Sequence, residues 1–233
     1  MAAQDARAIA RAFAPRHPLG NRWDYCYVLS KLRSDPLYPG VLEALRGSHA
    51  PLLDMGCGLG LLAHALRHDG QPQRYRGVDN DAAKIRRADA VARRAGLAAS
   101  GFEVMDLATT LPEHRGSVAI LDVLQYLPAE AQSALLRRAA AMLDGDGRLV
   151  LRMALADDSR RGRISRIGDR AANWIGWMQF RPRHYPDAAS LRALLEQAGL
   201  QVTACRRCTA TRPSTTGCWS RAAPEPRRHR LRG

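Results

Sequence analysis

The sequence predicts an α/β protein built on one doubly wound, mostly parallel sheet, and three observations carry that prediction. Short β-forming runs and helical patterns alternate five times along the chain. Leu52-Leu53-Asp54-Met55-Gly56-Cys57-Gly58-Leu59-Gly60 reads as strand, tight turn and helix start, with glycine where positive φ and close backbone approach are needed. Ser117 to Leu124 is a near-continuous apolar run, as a central parallel strand requires.

At 233 residues the chain has room for one such domain with a full core and some appendage. Residues 1–48 read as a helical cap segment. Ala2 to Ala14 carries Ile9 and Phe13 four apart and stops at Pro15; the aromatic-rich Trp23 to Leu32 stretch continues, past Asp35-Pro36, in the stripe Val41, Leu42, Leu45. Those aromatics fit a core, with Tyr25 and Tyr27 as pocket candidates. The main domain spans 49–205. Leu61, Leu62, Ala65 and Leu66 mark the helix after the glycine turn, which stops near Asp69-Gly70. Tyr75 to Asp79 is a second strand ending in an acid, and Asn80 stands where it would cap a helix from about Asp81 to Ala95. Phe102 to Leu107 is a third strand with an acidic end at Asp106, and the fourth carries Asp122. Pro128 opens the next helix, Asp144-Gly145-Asp146-Gly147 turns into a fifth strand over Arg148 to Met153, and Gln201 to Cys205 is a sixth.

The glycine turn narrows its own ligand. A helix that starts after such a turn offers unpaired N–H groups to whatever lies above it. The dinucleotide fingerprint needs a further glycine where Leu61 stands, and a carboxylate at Asp54 would repel a pyrophosphate but attract the ammonium of an amino-acid-like ligand. Asp79, ending the next strand, can accept both hydroxyl protons of a ribose. On these residues Asp54 to Gly60 resembles motif I of the class I S-adenosylmethionine-dependent methyltransferases, and the resemblance runs from about Pro51 to Val202. It implies S-adenosyl-L-methionine held by Asp54, Gly56, Cys57, Gly58, Gly60, Asp79 and Asn80. Asp106 would face the adenine amino group, and Leu107 and Asp122, the latter closing the fourth strand at motif IV, would also belong to the cofactor site. Enzymes of this class that methylate nucleobase amines commonly carry an Asn/Asp-Pro-Pro-aromatic element where this chain has Asp122-Val123-Leu124-Gln125-Tyr126, so an adenine or cytosine amine is not the expected target.

Residues 157–186 read as a helical lid inserted after the fifth strand. Ile164, Ile167, Ala171, Trp174, Ile175 and Met178 share one face, and arginines crowd its start and other side. Such a helix can cap a pocket, meet an acidic partner or lie on an anionic membrane; its place at the carboxyl edge of the sheet suits a cap. His184 follows the lid and is the catalytic candidate, with a surface histidine as its plainer reading. Residues 206–233 are rich in Arg, Thr, Ser, Pro and Cys and show no strand alternation, so the seventh strand that the resemblance calls for is expected to be missing. A tail out of frame with its ancestral gene would explain this, because one codon choice for residues 207–221, read from its third nucleotide, encodes a turn and an apolar strand. Cys205, Cys208, Cys218 and His229 supply a single Cys-x-x-Cys pair, too little for a zinc site, and no metal is expected.

The formal charge of +14, carried almost wholly by arginine, suits an acidic carrier protein or RNA, and equally the codon bias of a GC-rich genome. No secretory pattern opens the chain and no apolar stretch reaches membrane-span length, so the expectation is cytoplasmic, or peripheral to the inner membrane. The reading is a methyltransferase of a small aromatic, polyketide or lipid-like acceptor, by O- or C-methylation. An RNA methyltransferase and a non-catalytic cofactor-binding regulatory subunit are its alternatives.

Overall fold

Three helices, α1 (Ala3–Arg11), α2 (Trp23–Ser34) and α3 (Leu37–Leu45), precede the first strand in this computed structural model, which describes residues 1–17, 19–20, 22–154, 188–208 and 214–221. Then follow β1 (Leu52–Met55), α4 (Leu61–His68), β2 (Tyr75–Asp79), α5 (Ala82–Arg94), β3 (Ser100–Val104) and β4 (Ser117–Leu121). A short 3-10 turn at Leu124–Tyr126 leads into α6 (Ala129–Met142) and β5 (Arg148–Ala154). The described chain ends with α7 (Ala188–Gln197), β6 (Leu200–Cys208) and β7 (Ser214–Arg221).

The sheet order is β3-β2-β1-β4-β5-β7-β6, with β1 to β5 parallel and β7 antiparallel to both neighbours. From β1 the chain runs outward through β2 and β3, then returns to β4 on the other side. That reversal opens a crevice above the carboxyl ends of β1 and β4. Side chains alternate between faces along each strand. Leu52, Ala119 and Val150 pack with α1, α2, α3 and α4; Leu53, Met55, Val118, Ile120, Leu149 and Leu151 pack with α6 and α7. Asp54 lies opposite Gly77 and Ala119, and Arg152 opposite Leu121. The same parity therefore sends Asp54, Tyr75 and Arg152 to the face beneath the N-terminal helices.

Several expectations change in detail. Asp81, not Asn80, caps α5: its extended backbone lets one carboxylate oxygen accept the Ala83 and Lys84 N–H groups at 2.9 and 3.1 Å, while Asn80 stays exposed. β3 stops at Val104, so Asp106 lies two residues past the strand. β4 stops at Leu121 because Asp122 turns into the left-handed region, φ 60°. The seventh strand, expected to be missing, is present within the tail. Its ladder runs from Arg148↔Ser220 to Ala154↔Ser214 on one side and from Leu200↔Arg221 to Cys208↔Ser214 on the other. Hydrogen bonding on both edges, with β-forming Thr215, Thr216 and Trp219, makes this strand without the apolar run that a buried parallel strand needs. The lid, residues 157–186, and His184 lie outside the described residues. Among the described residues no helix is long and apolar enough to cross a membrane.

Candidate functional site

The turn after β1 is pinned to β2, where the Gly56 and Cys57 N–H groups both donate to the Val78 carbonyl, at 2.7 and 3.0 Å. Gly56, Gly58 and Gly60 all adopt positive φ, at 80°, 56° and 72°. Two of them make room for protein. A Cβ on Gly56 would collide with Val123 Cγ2, and one on Gly60 would lie 2.5 Å from the Phe102 ring. Gly58 is different, because a Cβ there meets nothing within 4 Å. It borders open space just ahead of the α4 N-terminus, where a ligand can approach the backbone.

Two carboxylates flank this opening. Asp79 at the end of β2 is held by backbone: its Oδ2 accepts the Gly58 N–H and its Oδ1 the Asp81 N–H, each at 2.9 Å. A carboxylate has about four lone-pair sites, so acceptor capacity for hydroxyl protons is left over. Asp54 is only 2% exposed. Tyr75 Oη donates to its Oδ2 at 2.7 Å, while Oδ1 is buried with no hydrogen-bond partner among the described residues. Burial pushes the Asp54 carboxyl up, the Tyr75 hydrogen bond pulls it part of the way back, and the Asp79 charge adds to the rise, leaving it at about 7. Cys57 packs against β2, its Sγ 2.8 Å from where a Gly77 Cβ would be. Burial, with Asp54 and Asp79 nearby, pushes its thiol well up, which marks a packing group.

On the far side of the crevice, Asp122 follows β4 in a strained left-handed backbone. Its N–H donates to the Arg152 carbonyl at 2.8 Å, and its Oδ1 stands 3.3 Å from Arg152 Nε. Arg152, 5% exposed at its side chain, places Nη1 2.8 and 2.7 Å from the two Asp35 oxygens; Lys31 Nζ is 2.7 Å from Asp35 and 4.0 Å from Asp122. Burial works against the Asp35 charge, but Lys31 and Arg152 outweigh it and hold the carboxyl at about 2. Tyr27 lies amid these charges; burial raises its phenol, so it stays protonated at neutral pH.

Of the residues picked from sequence, the glycine turn and Asp79 meet through the Gly58 N–H, and Asp54 lies buried close enough to Asp79 to feel its charge. Asp106 is brought alongside: the Met105 N–H donates to the Asp79 carbonyl at 3.0 Å, and the exposed Asp106 spends Oδ1 on the Ala108 N–H at 2.9 Å. Leu107 is half-buried against the α6 and α7 core. Sequence reasoning missed Tyr75, Lys31, Asp35 and Arg152. An arginine inside an otherwise apolar central strand was the available signal, since a buried guanidinium needs a carboxylate. The open Gly58 edge, the partnerless Asp54 oxygen and the backbone-held Asp79 fit a ligand that carries a cation and a ribose.

A model of the methyltransferase domain matches residues 29–204. Among solved structures, magnesium protoporphyrin IX methyltransferase from Synechocystis PCC 6803, with bound S-adenosylhomocysteine, is 19% identical, covering 91% of this chain and 92% of that one at TM-score 0.63. The mitomycin 7-O-methyltransferase MmcR is 22% identical at TM-score 0.63; 86% of this chain matches 57% of that longer one. An S-adenosylmethionine-dependent methyltransferase from Clostridium acetobutylicum is 12% identical, covering 87% of this chain and 100% of that one at TM-score 0.61. No curated protein matches the chain. With most of its length under the family model and a glycine-and-aspartate crevice at the sheet reversal, this chain belongs to the Rossmann-like S-adenosylmethionine-dependent methyltransferases.

Proposed function

We propose that the enzyme methylates oxygen or carbon on a small aromatic, polyketide-like or lipid-like acceptor. In this reading Asp54, Gly56, Cys57, Gly58, Gly60, Asp79, Asn80, Asp106, Leu107 and Asp122 hold the cofactor. The observation that carries it is the opening at Gly58, flanked by Asp54 and Asp79 at the sheet reversal. When bound, S-adenosylmethionine supplies an electrophilic methyl on a sulfonium. Transfer then requires the chain chiefly to align donor and acceptor and exclude water.

Division of labour follows from position. Asp79 accepts from the ribose hydroxyls, Asp54 offers negative charge to the ammonium, and the Gly58 backbone gives close approach. Residues 1–48 serve as a cap, whose Tyr25 and Tyr27 pack partly buried against the core under the N-terminal helices. Several structural neighbours support the acceptor class: a mitomycin 7-O-methyltransferase, the pyocyanin biosynthetic protein PhzM and a magnesium protoporphyrin IX methyltransferase. The arginine excess suits an acceptor presented by an acidic carrier protein, in the cytoplasm or at the inner membrane surface.

Radiolabelled methyl transfer tests the reading, with purified protein offered phenols, carrier-bound acyl aromatics and structured RNA. Label on the first two classes is expected. Label on RNA alone would replace the acceptor class, and cofactor binding without transfer to any of them would mark a regulatory subunit.

A further inference from the structure

Tyr75 opens β2 on the face that carries Asp54, two residues before Gly77. A Cβ on Gly77 would lie 3.0 Å from the Tyr75 hydroxyl, so glycine leaves the passage through which that hydroxyl reaches Asp54 Oδ2 at 2.7 Å. The other titratable groups facing Asp54 are Asp79 at the end of β2, Tyr38 from α3 and Cys57 from the turn. Burial raises Tyr38 and Tyr75 well above the usual phenol value, so both stay neutral, and Asp79 adds negative charge. A buried carboxylate that faces, among the described residues, only such groups must either keep a proton or receive a cation.

We propose that Tyr75 is a positioning residue whose hydroxyl clamps Asp54 Oδ2, leaving Oδ1 to meet the cofactor's ammonium, directly or through water, and that the proton Asp54 holds in the free protein leaves to solvent on binding. The inference rests on the reading that Asp54 belongs to the cofactor site. Its sign follows from the free carboxyl at about 7: the free site is mostly protonated below that value, and the complex is ionised. Affinity for a ligand with an α-amino group therefore rises with pH until about 7.5, then falls as that amine, ordinarily near 8, loses its own proton.

Calorimetry with S-adenosylhomocysteine, in two buffers of different ionisation enthalpy, measures both affinity and proton release. Binding about tenfold tighter at pH 7.5 than at 5.5 is expected, with close to one proton released at pH 6. 5′-Methylthioadenosine, which lacks the amino acid, should show neither. Tyr75→Phe should move the rising limb alkaline without unfolding the protein, and Asp54→Asn should remove it. A flat profile in protein that binds S-adenosylhomocysteine, the same rise with 5′-methylthioadenosine, or a Tyr75→Phe profile identical to wild type overturns the proposal. No binding at any pH overturns the cofactor-site reading beneath it as well.

Discussion

Asp54, buried in β1, and Asp35, partly buried at the end of α2, are two carboxylates that end at opposite extremes. Asp54, at 2% exposure, has a tyrosine hydroxyl for its partner and sits at about 7; Asp35, with its side chain 9% exposed, has Lys31 and Arg152 and sits at about 2. Desolvation is the largest influence on both and acts on a more deeply buried group at Asp54; what turns Asp35 the other way is its two cations. Two cations satisfy Asp35 within the protein and tie α2 to β5. Among the described residues Asp54 has no cation beside it, so it keeps a proton up to about pH 7, a state that an incoming cation would reverse.

The comparison can be broken hardest at Asp35. Asp35→Ala removes the carboxylate that both Arg152 Nη1 contacts reach and leaves that buried guanidinium with Asp122 at 3.3 Å, and should cost about 3 kcal/mol in urea unfolding. Replacing both partners, Asp35→Leu with Arg152→Met, should recover most of that loss. Acid titration sharpens the contrast next. Because the folded Asp35 value lies below its ordinary one, its contribution, roughly 2 kcal/mol, is present above pH 4 and lost as pH falls from 4 towards 2. Asp35→Ala should flatten that limb of the stability curve.

Asp54 has the opposite sign. Its raised carboxyl favours the folded state below pH 4, an advantage lost as pH rises through 7. Asp54→Asn should therefore stabilise the cofactor-free protein by about 1–2 kcal/mol at pH 8, seen as a higher melting temperature, while weakening cofactor binding. The smallest effect on stability is expected at Gly58. Gly58→Ala meets no protein atom and should cost about 1 kcal/mol for its left-handed backbone, yet still impair cofactor affinity measured by calorimetry.

The cofactor half of the site was legible because it is local. Strand, glycine turn and the acids of β1 and β2 lie on short stretches whose spacing reports their geometry, and the Gly58 N–H reaches Asp79, whereas Asp106 falls two residues beyond β3. The charged cluster across the crevice was not. Lys31 and Asp35 come from the cap, Asp122 from the end of β4 and Arg152 from β5, and nothing in their sequence spacing links them. The cap at Asp81 was missed by one residue because side-chain reach, and not residue type, chose between Asn80 and Asp81. β7 was missed because its partners, β5 and β6, supply the ladder that its own side chains do not announce.

By itself the sequence determined the alternation of strands and helices, the glycine turn and the identity of the acids beside it, because hydrophobic period and glycine's freedom at positive φ act within a few residues. Only the tertiary structure decided what each acid became. Whether a buried carboxylate meets a hydroxyl or a pair of cations depends on which distant strand and helix fold against it, and at low dielectric that choice separates a structural tie from a waiting ligand site.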